Sequence, residues 1–138
     1  MAGELKLFPF VPTIVGTLDT PGGEAYGVTV SGDYAFVANN ISGLHVIDIS
    51  DPTNPALAGS CSTSGMTQDV LIVGNFAYVA DGSAGLQVID IADPTNPTLA
   101  GNCVTMGYAV SAAVTGDFLY VADSDSGVQV IDISDPTT

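Results

Sequence analysis

The stretch Gly32-Asp33-Tyr34-Ala35-Phe36-Val37-Ala38 returns as Gly74-Asn75-Phe76-Ala77-Tyr78-Val79-Ala80 and again as Gly116-Asp117-Phe118-Leu119-Tyr120-Val121-Ala122, 42 residues apart both times. Each copy runs into a second shared block, Gly43 to Ile49, Gly85 to Ile91 and Gly127 to Ile133. Residues 32–62 and 74–104 are identical at 19 of 31 positions, which makes the repeat a duplicated structural unit. A fixed period near 40, filled with short β-type runs and Gly turns, is the pattern of a propeller blade.

Residues 66–107 show how one unit is built. Val70-Leu71-Ile72-Val73 reads as a strand ending at Gly74-Asn75. That two-residue link suits a type II′ hairpin, because Gly tolerates positive φ at the first central position. Phe76 to Ala80 is the returning strand, Asp81 to Gly85 a loop, and Leu86 to Ile91 the third strand. Asp93-Pro94-Thr95-Asn96-Pro97 cannot continue a ladder, since each Pro lacks an N–H, so it is a rigid connector. Thr98 to Thr105 supplies a fourth strand. The predicted fold is all-β, with three four-stranded antiparallel blades per chain: blade 1 over 23–65, blade 2 over 66–107 and blade 3 over 108–138. Leu86 and Val88 on one face alternate with Ile89 and Ile91 on the other, as in a sheet sandwiched between sheets.

Composition narrows the function classes. Fifteen acids stand against one base, Lys6, for a net charge of −14. No cationic groove can form to neutralise phosphates, which excludes nucleic acid as a partner and disfavours anionic lipid. Acids on this scale keep a repeat protein that is 46% hydrophobic in solution. No apolar run approaches the roughly 20 residues of a membrane helix, so no membrane span is predicted. Met1 to Lys6 lacks the features of a signal peptide and reads as an engineered start or a fragment of something longer; localisation stays open. Cys61 and Cys103 occupy one column of neighbouring repeats, too far apart for a disulfide, so two buried free thiols are expected.

The blocks Gly-Leu-x-Val-Ile-Asp-Ile-(Ser/Ala)-Asp-Pro and Gly-(Asp/Asn)-(aromatic)-Ala-(aromatic)-Val-Ala-(Asp/Asn) resemble the LVIVD repeat family over residues 24–138, with a partial match at 12–22. The resemblance implies propeller-type repeats of bacterial and archaeal proteins, an extracellular or cell-surface setting for a parent protein, and no active-site motif to carry over.

The two chain ends complement each other. The third repeat stops at Asp135-Pro136-Thr137-Thr138, where its fourth strand should begin. Pro12-Thr13-Ile14-Val15-Gly16-Thr17-Leu18 matches Pro55 to Cys61 and Pro97 to Cys103, with a one-residue shift absorbed by the extra Gly of Pro21-Gly22-Gly23. Residues 1–11 are then a leader, and 12–22 an outer strand that closes a last or neighbouring blade through Pro12, Ile14, Val15 and Leu18. Three blades would diverge by about 120° and could not pack, so the chain is expected to associate with itself. Two copies give a six-bladed ring and three copies a nine-bladed one; known propellers have mostly four to eight blades, which favours the homodimer over the homotrimer.

No catalytic residue and no cofactor is predicted. Asp48, Asp90 and Asp132 recur beside the Pro-rich connector, where a carboxylate holds the turn by accepting backbone N–H bonds. Asp123 and Asp125 in Ala122-Asp123-Ser124-Asp125-Ser126-Gly127 are weak metal candidates: the loop has alternating oxygen donors but lacks the third acid and distant Glu of an EF-hand. His45, alone of its kind and in a column with Gln87 and Gln129, reads as a polar surface or blade-contact residue, and zinc has no ligand set. Tyr26, Gln68 and Tyr108 fall near the inner strands, at a mouth where a ligand could bind. The leading function is a non-enzymatic scaffold or binding module; a lectin-like or peptide-binding ring and a calcium-dependent acidic module are the alternatives.

Overall fold

Pairs of glycine and a small polar residue set the strand rhythm. In the computed structural model, which describes residues 9–136, β1 (Gly27–Ser31) and β2 (Tyr34–Ala38) are joined by Gly32-Asp33. Gly74-Asn75 joins β5 (Asp69–Val73) to β6 (Phe76–Ala80), and Gly116-Asp117 joins β9 (Ser111–Thr115) to β10 (Phe118–Ala122). Gly32, Gly74 and Gly116 have φ of 59°, 58° and 57°, while Asp33, Asn75 and Asp117 keep negative φ. This is the φ pattern of a type II′ turn, whose twist matches the flanking strands.

The third strands are β3 (Leu44–Asp48), β7 (Leu86–Asp90) and β11 (Val128–Asp132), and the fourth are β4 (Ala56–Cys61) and β8 (Thr98–Cys103). Two sheets are four-stranded meanders, β1-β2-β3-β4 and β5-β6-β7-β8; the third has three strands, β9-β10-β11. Every strand pair is antiparallel. Among the described residues there is no α-helix, only a 3-10 turn at Ser124–Ser126, and no helix is long and apolar enough to cross a membrane. Residues 1–8 of the expected leader, together with Thr137 and Thr138, lie outside the described residues.

Both fourth strands bulge at the same point. Val46 pairs Gly59 and Ile47 pairs Leu57, leaving Ala58 extra; Val88 pairs Gly101 and Ile89 pairs Leu99, leaving Ala100 extra. A bulge bends the strand and sharpens its twist, which suits an outer strand wrapping the rim of a blade.

The core lies between sheets. Phe36, Ala38, Leu44 and Val46 of blade 1 pack on Val70, Ala77, Val79, Ile89 and Ile91 of blade 2. Tyr78, Ala80, Leu86 and Val88 of blade 2 pack on Ala109, Leu119, Val121 and Ile133 of blade 3. Blade 2 is thus covered on both faces, which explains why its third strand carries apolar residues on each, Leu86 and Val88 on one and Ile89 on the other. The matching outward face of blade 3 is open: Phe118, Tyr120, Val128 and Val130 are 47%, 40%, 64% and 58% exposed.

Candidate functional site

Three recurring polar positions hold the blades in place. The first is the connector acid. Asp48 accepts from the Ser50 N–H at 2.9 Å, Asp90 from Ala92 at 2.9 Å and Asp132 from Ser134 at 2.8 Å. These backbone bonds hold the Asp48 and Asp132 carboxyls below the ordinary carboxylate range. Inside the connector, Asp51 and Asp93 each accept from the N–H and hydroxyl of the Thr two residues on, at 3.0 and 2.7 Å.

The second position, which the sequence reading missed, is a latch between blades. Asn39, Asp81 and Asp123 follow the second strand of each blade and are fully buried. Asp81 accepts from the Thr63 hydroxyl at 2.7 Å and the Gly65 N–H at 3.0 Å. Asp123 accepts from the Thr105 hydroxyl at 2.6 Å and the Gly107 N–H at 2.9 Å, with Gln129 Nε2 at 3.3 Å. Each latch ties the segment leaving one blade to the loop of the next. The glycines are needed there, since a Cβ on Gly65 or Gly107 would collide with the carbonyl oxygen of Asp81 or Asp123. The signal was present in the sequence as a Thr and a Gly repeating upstream of each Asn/Asp, but its meaning depends on pairing between blades. Burial pushes the Asp81 carboxyl up against the pull of its two hydrogen bonds.

This geometry engages both oxygens of Asp123 and leaves Asp125 exposed on the 3-10 turn. Among the described residues no group of three or more His, Cys, Asp or Glu is placed to hold a metal ion.

The third position is the column of His45, Gln87 and Gln129. Gln87 and Gln129 donate to the carbonyls of Ala84 and Ser126, at 3.4 and 3.3 Å, and so fasten the loop three residues back. His45 stands in the same relation to Ser42, but it is buried rather than a surface residue, and its Nδ1 has no partner. Burial lowers its pKa, and the Ser42 carbonyl opposes that shift. Cys61 and Cys103 are free but half-buried, not buried, because outer strands lie at the blade rim. Burial raises the Cys61 thiol pKa, and the Leu99 backbone beside it opposes this.

At the inner end, the structure brings together two of the three mouth residues. Gln68 Nε2 donates to the Tyr108 hydroxyl at 3.4 Å, and the Tyr108 ring packs over Gly82. Tyr26 is 53% exposed and donates to Glu24 at 3.0 Å; that carboxylate, with a smaller contribution from Tyr108, raises its pKa. Asp69, beside them, accepts from the Ala112 N–H at 3.2 Å and so ties β5 to β9.

Pro12, Ile14, Val15 and Leu18 form no strand in the single chain and are exposed, Ile14 at 88%. Yet the segment that carries them is seated. Gly16 lies so close to the Pro52 carbonyl that a Cβ would collide with it, and the Pro55 ring is beside it. Gly59 stands in the same relation to Pro94 and Pro97. Thr20 donates to Asn39 Oδ1 at 2.8 Å, as Thr63 does to Asp81 and Thr105 to Asp123. Residues 16–20 therefore lie on blade 1 as an outer strand lies on the blade that follows it, and among the described residues no strand pairs with them.

A family model for the LVIVD repeat matches residues 22–63, 64–105 and 106–138. The solved structures similar in fold include two computationally designed proteins. Ika4 superposes with a TM-score of 0.71 at 11% identity, over 89% of this chain and 74% of Ika4. Ika8 does so with a TM-score of 0.65 at 12% identity, over 79% of this chain and 33% of Ika8, so the chain spans about a third of that protein's length. No curated protein matches the chain.

Proposed function

The chain belongs to the LVIVD-repeat family, and on that basis we propose that it is a non-enzymatic, self-assembling propeller scaffold or binding module whose ring is completed by a second copy. One observation carries the proposal. At one end, residues 16–20 seat on blade 1 as an outer strand does; at the other, blade 3 has three strands among the described residues and an uncovered apolar face. Joining those ends between copies satisfies both at once, covers the open face of blade 3, and removes an exposed edge strand that invites aggregation. Two copies place six blades about 60° apart, within the usual range, whereas three copies would place nine at about 40°. The homodimer is the preferred state and the homotrimer the runner-up. A non-enzymatic role is supported by the use of the polar side chains: the recurring carboxylates hold turns and latches, and the histidine is buried in a loop contact.

Deleting residues 1–22 tests the proposal. Size exclusion with light scattering should give a ring for the whole chain and no ring for the shortened one. An identical ring from both would place closure elsewhere.

A second reading rests on the Gln68–Tyr108 hydrogen bond beside the exposed Tyr26. Two tyrosine faces and an amide offer stacking and hydrogen bonding to a sugar or peptide. Glycan-array binding lost on Tyr26→Ala supports it, and a blank array rejects the sugar version. Tyr26 suits this test because, unlike Tyr108, its ring does not pack over the neighbouring loop.

A further inference from the structure

Blades 1 and 2 show how an outer strand seats against its neighbour. The Pro97 ring covers Gly59, and the Leu99 backbone approaches the Cys61 thiol. One blade further on, the equivalent place is an open groove of about 110 Å³ between β8 and β11, bordered by Gly101, Cys103, Ile131 and Pro136. Gly101 there meets the Pro136 carbonyl, as Gly59 meets that of Pro94, but no proline ring covers it. The residues in the columns of Pro97 and Leu99 are Pro12 and Ile14.

We propose that this groove is the seat of Pro12 and Ile14 from a second copy, and that the exchanged strand pairs with β11 in the register of β8 on β7. The inference rests on the self-assembly reading above and deepens it by fixing the contacts. Transferring the observed pairs Leu86–Cys103, Gln87–Asn102, Val88–Gly101, Ile89–Leu99 and Asp90–Thr98 by one blade gives the inter-chain ladder. Leu18 then pairs with Val128, Thr17 with Gln129, Gly16 with Val130, Ile14 with Ile131 and Thr13 with Asp132. Val15 takes the bulge that Ala58 and Ala100 occupy in β4 and β8. The register is strongly specified, because a one-residue slip would send Ile14 and Leu18 to the opposite face. Pro12 closes over the partner's Gly101, and the Ile14 backbone meets the partner's Cys103 as Leu99 meets Cys61. The same segment keeps its own grip on Pro52 and Asn39, so it fastens one copy's blade 1 to the other's blade 3.

Cys103 reports on the seat. In the whole chain, alkylation followed by peptide mapping should label Cys103 and Cys61 at similar rates, because seating makes their surroundings equivalent. Ile14 is almost fully exposed in the single chain, so Ile14→Asp leaves the folded chain intact while placing a like charge in the groove beside Asp132. That variant should label Cys103 about tenfold faster than Cys61, with unchanged circular dichroism and loss of the ring. A ring in which Cys103 reacts about tenfold faster than Cys61 in the unmodified chain would overturn the register and leave assembly standing. A ring that persists in Ile14→Asp, with Cys103 still protected, would also overturn the seat. A folded monomer from the unmodified chain would overturn both the seat and the reading it rests on.

Discussion

The difference between asparagine and aspartate at one column shows how closely side-chain chemistry follows the local chain. Asp123 presents both oxygens as acceptors, Oδ1 to the Thr105 hydroxyl and Oδ2 to the Gly107 N–H and Gln129 Nε2. Asn39 faces a segment one residue longer and uses its amide differently: Oδ1 accepts from Thr20 while Nδ2 donates to the Pro21 carbonyl at 3.1 Å. The extra glycine of Pro21-Gly22-Gly23 thus turns a carbonyl toward the latch where the other blades present an N–H. Asp123→Asn should set its Nδ2 against the Gly107 N–H and cost about 1–3 kcal/mol in urea unfolding. A neutral result would mean that the latch is not holding the blades. His45 has a pH signature with a definite sign. Its folded pKa lies below the ordinary 6.5, so an unfolded chain binds its proton first, and stability falls as pH drops through 6.5. His45→Gln, which copies the other two blades, should flatten the unfolding midpoint between pH 7.5 and 5.5. The connector acids act in a lower window. The Asp48, Asp51 and Asp132 contributions are complete above 3.8 and are lost as pH falls through their depressed folded values.

At the scale of elements, the hairpin glycines separate conformational cost from steric cost. A Cβ on Gly74 would meet nothing within 4 Å, so Gly74→Ala should cost only the penalty of its φ of 58°, about 1 kcal/mol by thermal unfolding. Gly43→Ala should cost more, because its Cβ would also collide with the Cys61 carbonyl. Strands and turns were legible because their signals are local: a two-residue Gly link, a proline that cannot donate, a run of β-branched residues. The bulge of each outer strand and the latch were not, because both depend on residues about 10 to 18 positions apart meeting across strands or blades. The mouth was half legible: Gln68 and Tyr108 do meet, whereas Asp69, which ties β5 to β9, gave no sign of its role in a column otherwise filled by Gly27 and Ser111. β11 supplies the sharpest test at this scale. Val130 is 58% exposed in the single chain but would be covered, as Val88 is by blade 3, once the partner's blade 1 packs on that face. Val130→Lys should leave the far-ultraviolet circular dichroism unchanged and abolish assembly.

The whole molecule balances an apolar interface against a large like charge. Each chain carries −14, so copies repel at low ionic strength and associate more readily as salt screens them. The midpoint concentration for assembly should therefore fall as sodium chloride rises from about 10 mM to 0.5 M, the opposite of an assembly held by opposite charges. Assembly also carries the function proposed for the chain, since only a closed ring repeats the Tyr26–Gln68–Tyr108 mouth around an axis. The most direct test is the mass of the native particle by native mass spectrometry or sedimentation equilibrium at micromolar concentration. The chain is 13.9 kDa, so a closed dimer of about 28 kDa is expected, with a trimer of about 42 kDa as the only other ring. A well-folded 13.9 kDa monomer, or a mass that grows without limit with concentration, would contradict it.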